Sequence, residues 1–282
     1  MAILSQSEIK AITSLLKSSD ENTLKLLEEQ LKNFDSKLLK KINAEIPLDD
    51  IELRKQFSLI LQRLKREQLC KDFYKWNVSL SKDLEEGIFL VALFDNPLLD
   101  LEHYSSILNS WALTLSTNLT NIKLKTDATS VINEVNHFLF MDLGFKGNKS
   151  EYYSPENSFI DKVIEKKLGN PILLSMIYLL LTKKLRLPFS GVNIPAHFLI
   201  KYSESFDSIF IDPFNQGEII TKEICQERIR SLKLPWQEDY STTPTNKQII
   251  IRILQNLINI YHSEEKYELK EQLEDYIKIL KN

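Results

Sequence analysis

The segment NIPAHFLIKY (193–202) sets one of only four histidines at the mouth of a stretch with strand-like alternation, and IFIDPFN (209–215) carries a second such stretch into an aspartate. If residues 197–202 and 207–212 pair as an antiparallel hairpin closed by SESF (203–206), His197 lies directly opposite Asp212. Side chains opposed on one face have Cβ atoms about 4.5–5.5 Å apart, so the carboxylate can accept the imidazole N–H, fix its tautomer and stabilise its charged form. That is the base and the orienter of a catalytic triad. The same contact also serves as a structural bond that pins hairpin register, and the pattern by itself leaves both roles open.

A triad needs a nucleophile. The strongest helix start upstream is GNPILLS, with Asn170 at the N-cap and Pro171 at the first helical position. Ser175 lies one turn further on the same side as Pro171 and is a candidate nucleophile directed at His197; as a small helix residue it equally suits close packing on a sheet. Cys225, in TKEICQERI, and Cys70, in the helical first half, are not brought to His197 by any spacing. Asn157, Asn170, Asn193 and Asn215 fall in loops expected to rim the same cleft, where amides can pair with a peptide-like or carbonyl ligand. Asparagine is also a common cap and turn residue. His103, His137 and His262 show no HxxxH spacing, and the two cysteines form no CxxC, so neither a metal site nor a disulfide is expected. With no Walker A and no GxGxxG, no cofactor is expected either.

The elements that must position these groups are mostly helical. The first 65 residues read as a leucine-rich, helical-repeat-like unit, with Ser19 or Asp20 capping a helix that carries Leu24, Leu27, Leu31 and Phe34 on one face. Amphipathic helices follow over 58–76, through LEEGIFLVALFDNP, from about 100 and from about 127, closing at Gly144. GFKGNKSEYYSPENSF (144–159) is polar and aperiodic, a loop of the kind that often carries function. The helix from Asn170 is apolar nearly all round through Leu181, so it should be central and buried. The final segment, 241–282, reads as a helical hairpin of tetratricopeptide-like length. The expected units are therefore 1–65, a core over 66–240, and 241–282.

The chain has 282 residues, 43% of them hydrophobic, enough for a substantial core. A net charge of -3 at pH 7 gives no basic field for nucleic acid, and no stretch approaches the about 18–20 apolar residues of a membrane span. The N-terminal residues lack signal-peptide grammar, and a cytoplasmic protein is expected, without nucleic-acid or membrane partners.

The order of the GNP-initiated apolar helix, GVNIPAHFLIKY and FIDPFN resembles the transglutaminase-like superfamily. It is most similar to a bacterial SirB-type, invasion-regulator-like branch sharing YYSPENSFI, GNPILLS, GVNIPAHFLI and FIDPFN. The resemblance implies an α+β fold in which a papain-like core, a central buried helix on a small antiparallel sheet, is flanked by helical segments. It also implies that His197 matches the superfamily's histidine and Asp212 the aspartate that orients it. The superfamily's Gly-x-Cys falls on Gly169, Asn170 and Pro171, so proline occupies the nucleophile position. Cysteine-dependent transglutaminase or protease activity is therefore not expected. What remains is a binding or regulatory module for a protein or peptide ligand, a hydrolase or transferase using His197–Asp212 with Ser175 or water, or a helical scaffold with a structural pair.

Overall fold

The computed structural model describes residues 5–282 except 19, 122–127, 196, 204–208, 238–239 and 241. Ser19 and most of the SESF loop thus lie outside the described residues. Three short helices open the chain: α1 (Gln6–Leu15), α2 (Glu21–Leu31) and α3 (Ser36–Glu45). Each starts on a side-chain cap, with Ser5 and Glu8 forming a capping box, Asp20 accepting from the Thr23 amide at 2.9 Å and Asp35 from the Leu38 amide at 2.8 Å. Their apolar faces cannot bury themselves. Ile9, Ile12, Leu16, Leu27, Leu31, Leu39 and Ile42 instead close a small core with Leu53, Phe57, Ile60 and Leu61 of α4 (Ile51–Val78).

α4 is 28 residues long, and its second half delivers Leu69, Phe73 and Trp76 to a separate, larger core. The limit expected near residue 65 falls inside this continuous helix. The large core also takes in α5 (Leu84–Asp95), α6 (Leu101–Asn118), α7 (Ala128–Asn136), which continues as a π turn over His137–Asp142, and α8 (Ile160–Lys166). The terminal hairpin, α11 (Asn246–Ser263) and α12 (Tyr267–Lys281), buries its apolar face in this same core, with the Tyr276 ring stacked on Phe73 at 4.7 Å. The hairpin of the 241–282 segment is therefore a wall of the core.

At the centre lies α9 (Pro171–Lys184), buried from Pro171 to Thr182 as its unbroken apolar composition requires. It packs under a four-stranded antiparallel sheet in the order β3 (Phe189–Val192), β4 (Leu199–Tyr202), β5 (Ile209–Asp212) and β6 (Glu218–Ile220). The period-two rule sorts its side chains. Ile200, Tyr202 and Ile211 join the core of α9, while Val192, Leu199, Phe210 and Ile220 pack with Cys225 and Ile229 of α10 (Lys222–Ser231). The chain is mostly helical with this small antiparallel sheet at its centre, an α+β fold. The loop at 144–159 contributes β1 (Lys146–Gly147), which pairs in parallel with β2 (Leu168–Gly169) just before α9.

One geometric expectation is corrected. In the β4–β5 ladder Tyr202 pairs with Ile209 and Ile200 with Ile211, so the register is displaced by two residues from the pairing that sets His197 opposite Asp212. The strand begins at Leu199, after a turn in which the His197 amide donates to the Ile194 carbonyl at 3.2 Å. A slip of two keeps every side chain on its original face, whereas a slip of one would have exchanged the faces.

Candidate functional site

Asp212 closes β5 on the α10 side of the sheet, and Pro213 then turns the chain into a short 3₁₀ segment, Pro213–Asn215. The aspartate is fully buried. Its Oδ1 accepts from the Phe214 and Asn215 amides at 3.1 and 3.3 Å; Oδ2 accepts from Asn215 Nδ2 and from Arg228 Nη1 of α10, both at 2.9 Å. His197 Nε2 stands 2.8 Å from Oδ1. The N–H is not aligned with that oxygen, so the contact is a close approach rather than a linear hydrogen bond. Burial alone would raise the carboxyl pKa, but His197, Asn215 and Arg228 outweigh it and hold Asp212 down at about 2. Arg228 is tied on its other side to Glu218 at 3.1 Å.

With Nε2 committed to Asp212, Nδ1 is the ring nitrogen left to meet a ligand. His197 opens onto a cleft of about 320 Å³. One side is the start of α9, with Asn170, Pro171 and Ile172; another is the Tyr152–Tyr153 pair of the 144–159 loop; the far wall is α11, which presents Arg252, Asn256, Asn259 and Ser263. Phe214 packs edge-on to both the His197 ring and Tyr152, at 6.2 and 5.7 Å between centroids. Gly147 makes room for it: a Cβ there would stand 2.5 Å from the Phe214 carbonyl oxygen.

Arg252 reaches across the cleft floor to the turn that carries the histidine. Its Nη1 donates to the Asn193 side chain and to the Ile194 carbonyl at 2.9 Å, and Nη2 donates to the His197 carbonyl at 2.8 Å. The imidazole is thus held at its tip by Asp212 and at its backbone by Arg252.

Pro171 begins α9 at the edge of this cleft, and Asn170 caps it by accepting from the Leu173 amide at 2.9 Å while donating to Ser158 Oγ at 2.9 Å. Ser175 does not fit the role of nucleophile. It is fully buried, and its hydroxyl donates to the Pro171 carbonyl at 2.8 Å and lies 3.4 Å from the Phe198 carbonyl. Of the four asparagines expected at the rim, only Asn170 lines the cleft. Asn157 is buried and spends its amide on the Glu151 and Tyr152 carbonyls at 2.7 and 3.2 Å, so it shapes the tyrosine loop from beneath. Asn193 receives Arg252, and Asn215 orients Asp212. Cys225 is buried under the sheet with its thiol pushed up to about 11 by burial, and Cys70 is likewise raised by burial. Neither lines the cleft. Among the described residues no cluster of histidine, cysteine, aspartate or glutamate could hold a metal ion, and no helix is long and apolar enough to cross a membrane.

The sequence profile of the transglutaminase-like superfamily matches residues 102–255, which contain the histidine, the aspartate, the start of α9 and Arg252. The chain belongs to the transglutaminase-like superfamily. Among known proteins, a UPF0162 protein of Xylella fastidiosa (strain 9a5c) is 32% identical over 213 residues, 72% of this chain and 75% of the relative. A UPF0162 protein of Vibrio cholerae is 31% identical over 134 residues, 46% of this chain and 49% of that one. F-box only protein 21 of Mus musculus is 33% identical over 106 residues, 35% of this chain but 17% of the mouse protein. No solved structure matches. Within this transglutaminase-like chain, Arg228 and Arg252 are the site residues that sequence reasoning missed. Arg228 sits in a charged helix that reads as a solvated face. Arg252 did leave a signal, a lone cation inside the apolar run IIIRIL.

Proposed function

We propose that this protein is a ligand-binding module, a transglutaminase-like pseudoenzyme that reuses the His197–Asp212 cleft to hold a peptide segment or a small polar ligand. The observation that supports it is Pro171. Proline has no reactive atom at the helix start where a thiol would gain from the dipole and free amides, and neither Ser175 nor either cysteine opens onto the cleft. The cleft sets an oriented imidazole, two tyrosines and several amides into a largely apolar lining.

Two measurements on the same preparations test this reading. One follows hydrolysis of an activated acyl ester and amine transfer to a glutamine peptide; the other follows equilibrium binding to a peptide array. The native protein and a Cys70→Ser/Cys225→Ser variant should show no turnover above His197→Ala. Binding should be saturable and should fall at least tenfold in Tyr153→Ala, whose side chain is largely exposed at the cleft mouth. Turnover that survives the double cysteine replacement and disappears in His197→Ala would overturn the module in favour of a water-using hydrolase. Unchanged array binding in both His197→Ala and Tyr153→Ala would move function off the cleft altogether.

A further inference from the structure

The far wall of the cleft follows a helical spacing. Arg252, Asn256, Asn259 and Ser263 succeed one another along α11 at intervals that place them on one stripe, while Ile250, Ile253, Leu254 and Leu257 on the other side are fully buried in the core. The helix is anchored by its apolar face, so its polar face is presented to the cleft as a rigid row.

The charge balance of that row is one-sided. No aspartate or glutamate lines the cleft, and Arg252 has no carboxylate partner among the described residues. Its guanidinium is held by neutral groups: the Asn193 side chain, the Ile194 and His197 carbonyls, and the Phe198 ring, whose centroid lies 5.9 Å from Cζ. Neutral acceptors fix a cation in place without cancelling its charge. They also occupy only three of its five N–H bonds. The contrast with Arg228 is direct, since that guanidinium is neutralised by Asp212 and Glu218. A fixed, partly desolvated cation lining a cleft favours an anion, and the planar guanidinium fork matches a carboxylate. The neighbours restrict the choice further. Asn256, one turn beyond, offers a paired donor and acceptor suited to a peptide group, and Asn259, whose Oδ1 accepts from Gln255 Nε2 at 3.3 Å, adds amide donors. A volume of about 320 Å³ lies at the small end for ligand pockets, room for about one residue rather than a long segment.

We propose that this wall recognises a carboxylate attached to an amide, as in the C-terminal residue of a peptide or a free N-acyl amino acid. Arg252 meets the carboxylate, and Asn256 and Asn259 meet the adjoining peptide group. The proposal rests on reading the cleft as a ligand site and adds the ligand's charge and its orientation against α11.

The full chain is titrated by calorimetry or NMR with four probes: N-acetylalanine, its amide, an acetylated trialanine with a free C-terminus, and the same peptide amidated. Each acid should bind at least tenfold more tightly than its amide. Binding of N-acetylalanine on its own identifies a small-molecule source, and binding of the tripeptide acid alone identifies a chain terminus. Replacing Arg252 would also release the turn of His197, so the deciding variant is Asn256→Asp. It sets a carboxylate one turn from Arg252 and leaves the guanidinium's three carbonyl-type contacts untouched. It should weaken both acids at least tenfold more than it weakens the matching amides, which lose only the Asn256 contact to the peptide group. Equal affinity for acids and amides, or undiminished acid binding in Asn256→Asp, overturns the carboxylate while leaving a ligand cleft intact. Failure of all four probes at millimolar concentration, with cleft-dependent array binding still present, does the same.

Discussion

Asp212→Asn isolates the charge of the buried network from its shape. The amide keeps an oxygen for the Phe214 and Asn215 N–H groups, but it removes the negative charge that His197 and Arg228 share. The size of that charge effect follows from the pKa. Partners hold the folded carboxyl at about 2 against an ordinary 3.8, and each tenfold change in proton affinity is worth about 1.4 kcal/mol. Ionised Asp212 therefore contributes roughly 2 to 3 kcal/mol at neutral pH. Because the folded pKa is depressed, the contribution is complete above the unfolded value and is lost as pH falls through about 2. By the same linkage about half of it remains at pH 3. Stranding the partner of a buried ion pair can cost about 3–5 kcal/mol, but Arg228 retains Glu218 and reaches solvent, which keeps the loss at the low end. Urea denaturation of both proteins from pH 7 to pH 3 measures the gap. It should be roughly 2 to 3 kcal/mol at pH 7 and about half that at pH 3. A deficit equal at both ends would refute the reasoning, because only shape would then have been lost.

Three further outcomes follow. Asp95, half-buried at the end of α5 beside the buried Asp161, is raised to about 6, chiefly by burial and against the pull of Lys162. A raised folded carboxyl loses stability as pH climbs from about 4 to about 6, so Asp95→Asn should stabilise the protein at pH 7 by about 1 to 3 kcal/mol and have little effect at pH 4, which a thermal-melt series checks. Pro171→Cys places a thiol at the first position of α9 on the cleft; iodoacetamide at pH 7 should label it at least tenfold faster than Cys70, and equal rates would show that the helix start does not activate it. Gly147→Ala drives a methyl group into the Phe214 carbonyl and ring, so it should cost about 1–3 kcal/mol by overpacking and shift the His197 imidazole resonances in an NMR spectrum.

The helices were legible because apolar residues recur at helical spacing and side-chain caps mark their starts: Asp20 and Asn170 each sit where the structure begins a helix. The His197–Asp212 contact was legible because both residues belong to the same hairpin. Its register was not, since the loop between the strands gives no independent signal for where pairing starts, and the turn at Ile194–His197 shortens β4 by two residues. Only the parity of the strand pattern rescued the contact. What could not be read were partners separated widely in sequence. Arg228 and Arg252 reach the site from α10 and α11; Arg228 looks like surface in its charged helix, and the lone cation of IIIRIL does not say which partner Arg252 meets. Three of the four asparagines lie off the cleft lining for the opposite reason: local bonds engage their amides, as at Asn157 and Asn215.

The network around Asp212 does more than a structural hairpin bond requires. The Phe214 and Asn215 amides already pin the end of β5, and the ladder with β4 is already set by Ile200, Lys201 and Tyr202. A buried carboxylate that only closed a turn would carry its desolvation cost with no need of an imidazole. Here the same carboxylate also grips Nε2, while Arg252, from an element on the far side of the cleft, grips the carbonyl of the same residue. Two independent restraints on one side chain fix its position against whatever enters the cleft, the usual requirement of a preorganised recognition group. His197→Ala separates the two roles. If the restraints serve presentation, binding should fall at least tenfold while Arg228 goes on compensating Asp212, and the stability loss should stay below the roughly 2 to 3 kcal/mol expected of Asp212→Asn. A large stability loss with binding unchanged would instead make the imidazole a structural bolt.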